Sequence, residues 1–185
     1  MASERLLHHA SKYILLAFLV LTMFAAGYLT ASSLGNAART WIPGDLSYPL
    51  KTAQEEVTLL LTADPTRRAD LHREYAHRRM QEVQALVFED RLEYLPETAR
   101  DFTSHLEQAL WDLYSAAGDD PQSASRLAAQ LESDLLKQED MLRLLVGISP
   151  ETTHAEFYRI IQVSRTGLIA LRGLLVHDGA LEIQG

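Results

Sequence analysis

From Tyr13 to Leu29 the chain reads Tyr-Ile-Leu-Leu-Ala-Phe-Leu-Val-Leu-Thr-Met-Phe-Ala-Ala-Gly-Tyr-Leu without a charge, and the uncharged stretch continues through Ala38. About 18 to 20 such residues, rising roughly 1.5 Å each, cross a hydrocarbon core of roughly 30 Å. The pattern predicts a transmembrane helix over 13–31. Tyr13 and Tyr28 stand near its ends, and Arg5 and Lys12 precede it while only Arg39 follows closely, which places residues 1–12 in the cytoplasm. A cleavable signal peptide is the competing reading, because Ala31-Ser32-Ser33 and Gly35-Asn36-Ala37 offer the small residues that a signal peptidase needs. The length of the apolar run favours an anchor over the roughly 7–15 residues of a signal-peptide core.

Beyond this segment the apolar positions take up a helical period. Residues 32–47 are rich in Ser, Gly, Asn and Ala and close in Trp41-Ile42-Pro43-Gly44-Asp45, the pattern of a linker ending in a turn. A first helix is expected from Pro49 to Ala63, with an apolar patch of Val57, Leu59, Leu60 and Leu61. Asp64-Pro65 then supplies a cap and a first-turn proline for a second helix, whose stripe is Ala76, Met80, Val83 and Val87. Pro96 opens a third on Phe102, Leu106, Ala109, Leu110 and Leu113, ending near Gly118. The fourth runs from Pro121 to Val146 on Leu127, Leu131, Leu135, Leu142 and Leu145, with Gly147 as its stop. Ser149-Pro150-Glu151-Thr152 begins a fifth that buries Phe157, Ile160, Ile161, Leu168, Leu171 and Leu175. No segment reads as a strand. The expected architecture is therefore all-α: an N-terminal transmembrane helix, then an antiparallel bundle of about five helices over 48–178, with 179–185 as a frayed tail.

Composition narrows the function classes. The formal charge is -8, and the residues before the apolar segment contribute none of the negative excess, so the helical domain is acidic. Nucleic-acid binding, which needs a basic surface, is not expected. The chain has no cysteine, which excludes disulfides, thiolate catalysis and cysteine-ligated zinc. There is no His-Glu-x-x-His, no glycine-rich phosphate loop and no Gly-x-Ser-x-Gly elbow. No enzyme and no cofactor is expected. Of the seven histidines, His72 and His77 are the nearest metal candidates, but five residues on a helix separate them by roughly 140°.

Several polar residues fall on or beside apolar faces. His72 precedes Ala76 by one turn, and Arg79 lies between Tyr75 and Val83, so both border the stripe of the second helix. A charge half-buried there needs a partner, and the preceding helix offers Glu55 and Glu56. Gln138 stands where Leu135 and Leu142 lead one to expect another leucine, and it requires a hydrogen-bond partner. Glu55, Glu56, His72, Tyr75, Arg79 and Gln138 are thus expected to form a polar core whose role is structural. Ser164 and Gly167 would allow a close helix approach near Gln138.

The stretches Pro43-Gly44-Asp45, Tyr48-Pro49-Leu50-Lys51 and Leu71-His72-x-x-Tyr75-Ala76-x-Arg78-Arg79-Met80-x-Glu82 resemble a bacterial envelope domain family of unknown function. The resemblance spans roughly 41–175 and is specific in its first third. It implies a domain that follows a single transmembrane helix. Some relatives carry a cytoplasmic anti-sigma module before that helix, for which the dozen residues here are too few. It implies no activity.

Together these features lead to the expectation of a membrane-tethered extracytoplasmic interaction or sensing module with a protein partner. Homo-oligomerisation through Gly27 and Ala31, a small-x-x-x-small pair, is a subsidiary expectation. The alternatives are a released or anchored periplasmic binder of metal or a small ligand, and an enzyme acting on envelope polymers.

Overall fold

The computed structural model describes residues 41–182, with side chains through Leu175. The predicted transmembrane segment 13–31, the Gly27–Ala31 pair and most of the linker lie outside these residues. Among the described residues there are five α-helices and no strand: α1 Tyr48–Leu60, α2 Pro65–Phe88, α3 Leu95–Asp119, α4 Pro121–Ile148 and α5 His154–Glu182. None of the described helices is long and apolar enough to cross a membrane.

Proline sets most of the helix starts. Pro49, Pro65, Pro96 and Pro121 each sit in the first two positions of a helix, where the missing N–H costs nothing. Asp64 caps α2 by accepting from the backbone N–H of Thr66 and Arg67, at 3.3 and 3.1 Å, and Asp120 caps α4 through Ser123 N–H at 3.1 Å. Two helix ends differ from the sequence reading. α1 stops at Leu60, three residues before Ala63. α4 runs through Gly147 to Ile148, and Ser149 ends it in an extended conformation with ψ 155°. The cause is Pro150, which disfavours the helical region for the residue before it. Gly147 inside a helix costs only about 1 kcal/mol relative to alanine, too little to stop it.

The interhelical pairs fix the topology. Along α2, residues 68 and 72 meet 112 and 105 of α3, a descending order that makes the two antiparallel. Glu132 with Arg172 and Glu139 with Arg165 make α4 and α5 antiparallel. Arg73 with Asp134 and His77 with Gln138 run in the same sense, so α2 and α4 are parallel. These four helices form an up-down-up-down bundle, and α3 touches all of the others in it. The stripes read from the sequence form its core. Phe102, Leu106, Leu135, Leu142, Phe157, Ile160 and Leu171 are almost fully buried.

α1 breaks the inside-apolar rule. Its buried residues are Lys51 and Glu55, whereas Leu50, Val57, Leu60 and Leu61 are 60, 54, 84 and 81% exposed. The apolar patch of this helix faces solvent, and its charges face the bundle.

Two glycines show opposite constraints. Gly44 has φ 92°, and a Cβ there would come within 2.7 Å of the Tyr94 ring and closer still to the Arg91 guanidinium. At Gly167 a Cβ would make ordinary contacts of 3.5–3.6 Å with Leu135, Leu106 and Leu110. Gly44→Ala is therefore expected to destabilise by about 1–3 kcal/mol. Gly167→Ala, at a helical position with room, is expected to stabilise by about 0.4–1 kcal/mol. Urea denaturation of the two variants beside the parent chain checks both signs.

Candidate functional site: a buried charge network with an adjoining groove

The turn before α1 is held by a specific clamp. Asp45 accepts from Ile42 N–H at 2.9 Å, and Arg91 donates to Asp45 at 2.9 Å and to the Pro43 carbonyl. This backbone hydrogen bond, with Arg91 beside it, holds the Asp45 carboxyl below its usual range. Gly44 supplies the positive φ that lets the chain turn against Arg91.

The clamp aims α1 so that its first two turns lie on α2. Tyr48 donates to Glu82 at 3.0 Å, and Lys51 pairs with the same carboxylate. Arg79 reaches both oxygens of Glu82, at 2.8 and 2.7 Å, and also Glu55 and the Tyr48 hydroxyl. Arg78 donates to the other oxygen of Glu55 at 3.0 Å, and its guanidinium lies 5.0 Å from the centre of the Tyr75 ring. Lys51, Glu55, Arg79 and Glu82 are all at most 5% exposed. Burial opposes the Arg79 charge, but Glu82 and Glu55 outweigh it and hold its pKa above the ordinary value. Burial likewise drives the Tyr48 phenol up, so it stays a neutral donor. Two carboxylates inside three cations make a satisfied cluster, with Arg79 Nε as the buried atom left without a hydrogen-bond partner.

Beside this cluster lies a groove of about 330 Å³ between α1 and α3, lined by Glu55, Glu56, Arg79, Asp101, Ser104 and His105. Asp101 is half-buried and its carboxyl is pushed up by that burial, with Arg79 pulling the other way. Among the described residues it has no ion-pair partner. Further along α2 and α3, His72 Nδ1 and His105 Nδ1 stand 3.0 Å apart. One ring must donate and the other accept, so the pair cannot hold two Nδ1 protons without repulsion. Burial, Arg79 and His72 push His105 down to about 3, and burial lowers His72 as well. Asp112 is fully buried and paired with Arg68, and its carboxylate lies 4.0 Å from His72 Nε2.

These shifts give a signed pH dependence. A histidine whose folded pKa is depressed binds fewer protons folded than unfolded between that value and about 6.5. Stability contributed by His105 is complete above pH 6.5 and is lost as pH falls toward about 3. His72 acts in the same direction, and Asp101, with its raised pKa, opposes them. Each histidine adds a slope of at most about 1.4 kcal/mol per pH unit in its window. Thermal unfolding at pH 7 and pH 5 should show a lower midpoint at pH 5, and His105→Gln should reduce that difference.

Of the residues that the sequence singles out, the structure brings Glu55, Tyr75 and Arg79 to one place, and it sets His72 one turn away. Glu56 is exposed and lies on the groove's rim, outside the ion-pair cluster. Gln138 is buried on α4, where its amide nitrogen lies 3.5 Å from His77 Nδ1 and its Oε1 has no partner. His77 is exposed and near Gln81, so the two metal candidates on α2 do not converge. Among the described residues no group of three or more His, Cys, Asp or Glu is placed to hold a metal ion. Tyr48, Lys51 and Glu82 belong to the cluster although the polar pattern alone did not single them out. Asp101, His105 and Asp112 were missed altogether. Asp112 carried a signal, since it stands between Ala109 and Leu113 on the apolar stripe of α3.

The family described as "Domain of unknown function (DUF5667)" matches residues 40–148. No curated protein and no solved structure matches the chain. The matched stretch contains the Asp45–Arg91 clamp, the buried charge network and the groove.

Proposed function

The chain belongs to the DUF5667 family of domains of unknown function, and on that premise we propose that it is a membrane-tethered extracytoplasmic interaction or sensing module. In this reading residues 13–31 anchor it in the cell membrane as a single span, residues 1–12 are cytoplasmic and the helical domain is outside. It binds a protein partner, it has no catalytic role and it does not bind nucleic acid. Pairing of anchors through Gly27 and Ala31 is a subsidiary element.

The observation that carries the reading is α1. A helix that turns Lys51 and Glu55 into a satisfied ionic cluster and leaves Leu50, Val57, Leu60 and Leu61 to solvent offers a contiguous apolar surface. Patches of this kind mark interaction sites on soluble domains. Affinity capture of the full chain, expressed beside a differently tagged copy, from membranes after mild crosslinking should recover a specific protein, a second copy of the chain included, that is lost with Val57→Glu. Recovery of background proteins alone contradicts the proposal.

A second reading, small-ligand binding, draws support from the groove, whose lining includes Asp101, a half-buried carboxyl with no ion-pair partner among the described residues. Ligand-induced thermal stabilisation that disappears in Asp101→Asn would favour it.

A further inference from the structure

On α1, Leu50, Ala53, Val57 and Leu60 follow one another at spacings of three, four and three residues. That is the 3.5-residue repeat of a helix made to pack along a second helix. All four are exposed, so the seam is unoccupied by the bundle's own helices. We infer that the outward seam of α1 is a contact surface for a second copy of this chain. The inference rests on the tethered-module reading and names its partner.

Area and charge select the occupant. Leu50, Val57 and Leu60, with the adjoining Leu61, are each more than half exposed and form a patch on the order of several hundred Å². A freely diffusing partner needs roughly 800 Å² on each side for a stable complex. The seam alone does not hold such a partner. Two copies tethered to one membrane meet differently. Residues 32–41 join the apolar segment to Ile42, a chain of at most about 36 Å, so both seams stay in a thin layer and the encounter is entropically favoured. The same seam on both partners gives an isologous, closed contact. A lipid surface fits less well. Interfacial helices meet headgroups with Lys and Arg, but the only basic residue of α1 is Lys51, which is 3% exposed, and the flank carries Glu56.

The absence of native cysteine makes the test direct. Ala53→Cys and Val57→Cys are placed singly in the full chain, with Ser133→Cys on the exposed face of α4 as the reference. Membranes are then oxidised under mild conditions. A disulfide forms only when Cα atoms come within about 7 Å, so it reports helix contact. A dimer from Ala53→Cys or Val57→Cys at least about tenfold above Ser133→Cys, within what tethering supplies, and lost when Leu60→Glu is added, is the expected result. No dimer with full labelling of both thiols by an impermeant maleimide shows a bare face and overturns the inference. No dimer with thiols protected from that reagent shows a cover of lipid or another protein and overturns it equally. Failure of the tether reads out separately: Ser133→Cys would stay unlabelled in cells opened at the outer face if the domain is cytoplasmic, and would leave the membrane fraction at reduced mass if the segment is cleaved.

Discussion

Replacing Arg79 by alanine is expected to destabilise the domain by about 3 kcal/mol, because one buried oxygen of Glu55 loses its charged donor and Glu82 loses one of its two cations. Arg79 is 1% exposed and contacts both Glu55 and Glu82. Without it, Glu82 keeps Lys51 and Glu55 keeps the half-buried Arg78, so two carboxylates share two cations at the edge of the cluster. The bifurcated reach of the guanidinium, which joins α1 to α2, is what the truncation removes. Arg79→Lys, a single ammonium, should recover part of the loss because it cannot serve both carboxylates. Glu56→Ala, one residue from Glu55 but exposed, should change stability by less than about 0.5 kcal/mol. Urea unfolding of the three variants followed by helical circular dichroism measures this. Equal effects of Arg79→Ala and Glu56→Ala would show that the network does not hold α1.

Phe102→Ala is expected to cost a similar amount, about 3–5 kcal/mol, by a different route. Phe102 is fully buried on α3, the helix that touches each of the others in the bundle, so the void left by the ring has packed walls on several sides. Relaxation into that void is limited because α2, α4 and α5 are pinned by their own contacts. Trp111 on the same helix is 69% exposed, and Trp111→Ala should cost far less despite removing a larger side chain. The two effects also separate by position. Phe102→Ala lowers the stability of the whole bundle, whereas Arg79→Ala loosens α1 first, which hydrogen exchange at Lys51–Leu59 would detect as faster opening.

The helix stripes and four of the five helix starts were legible because both depend on local spacing: apolar residues at three and four, and proline in the first turn. The ends were less legible. Gly147 reads as a stop, but a helix ends where the backbone is forced to change, and that is at Ser149 before Pro150. The need of Arg79 for a carboxylate partner could be read from its place beside an apolar stripe, and Glu55 is that partner. Lys51 and Glu82 were quoted for their likeness to a family. Their pairing crosses 31 residues, a distance at which periodicity carries no information. His105 and Asp101 stayed hidden for the same reason, since only the antiparallel packing of α2 on α3 brings them beside His72 and Arg79. The apolar patch of α1 was visible, but not its direction. Once Lys51 and Glu55 are committed to α2, the opposite face has nowhere to go but outward.

We propose above all that the acidic helical domain is held outside the cytoplasm by an uncleaved N-terminal segment. Protease accessibility of the C-terminally tagged full chain, in intact cells and in cells opened at the outer face, together with its mass on a gel, tests it most directly. A tag reached from the outer face on a chain of 20.8 kDa plus the mass of the tag is the predicted result. A tag that stays protected, or a mass lower by about 3–4 kDa as removal of a signal-peptide-length segment would produce, contradicts the claim.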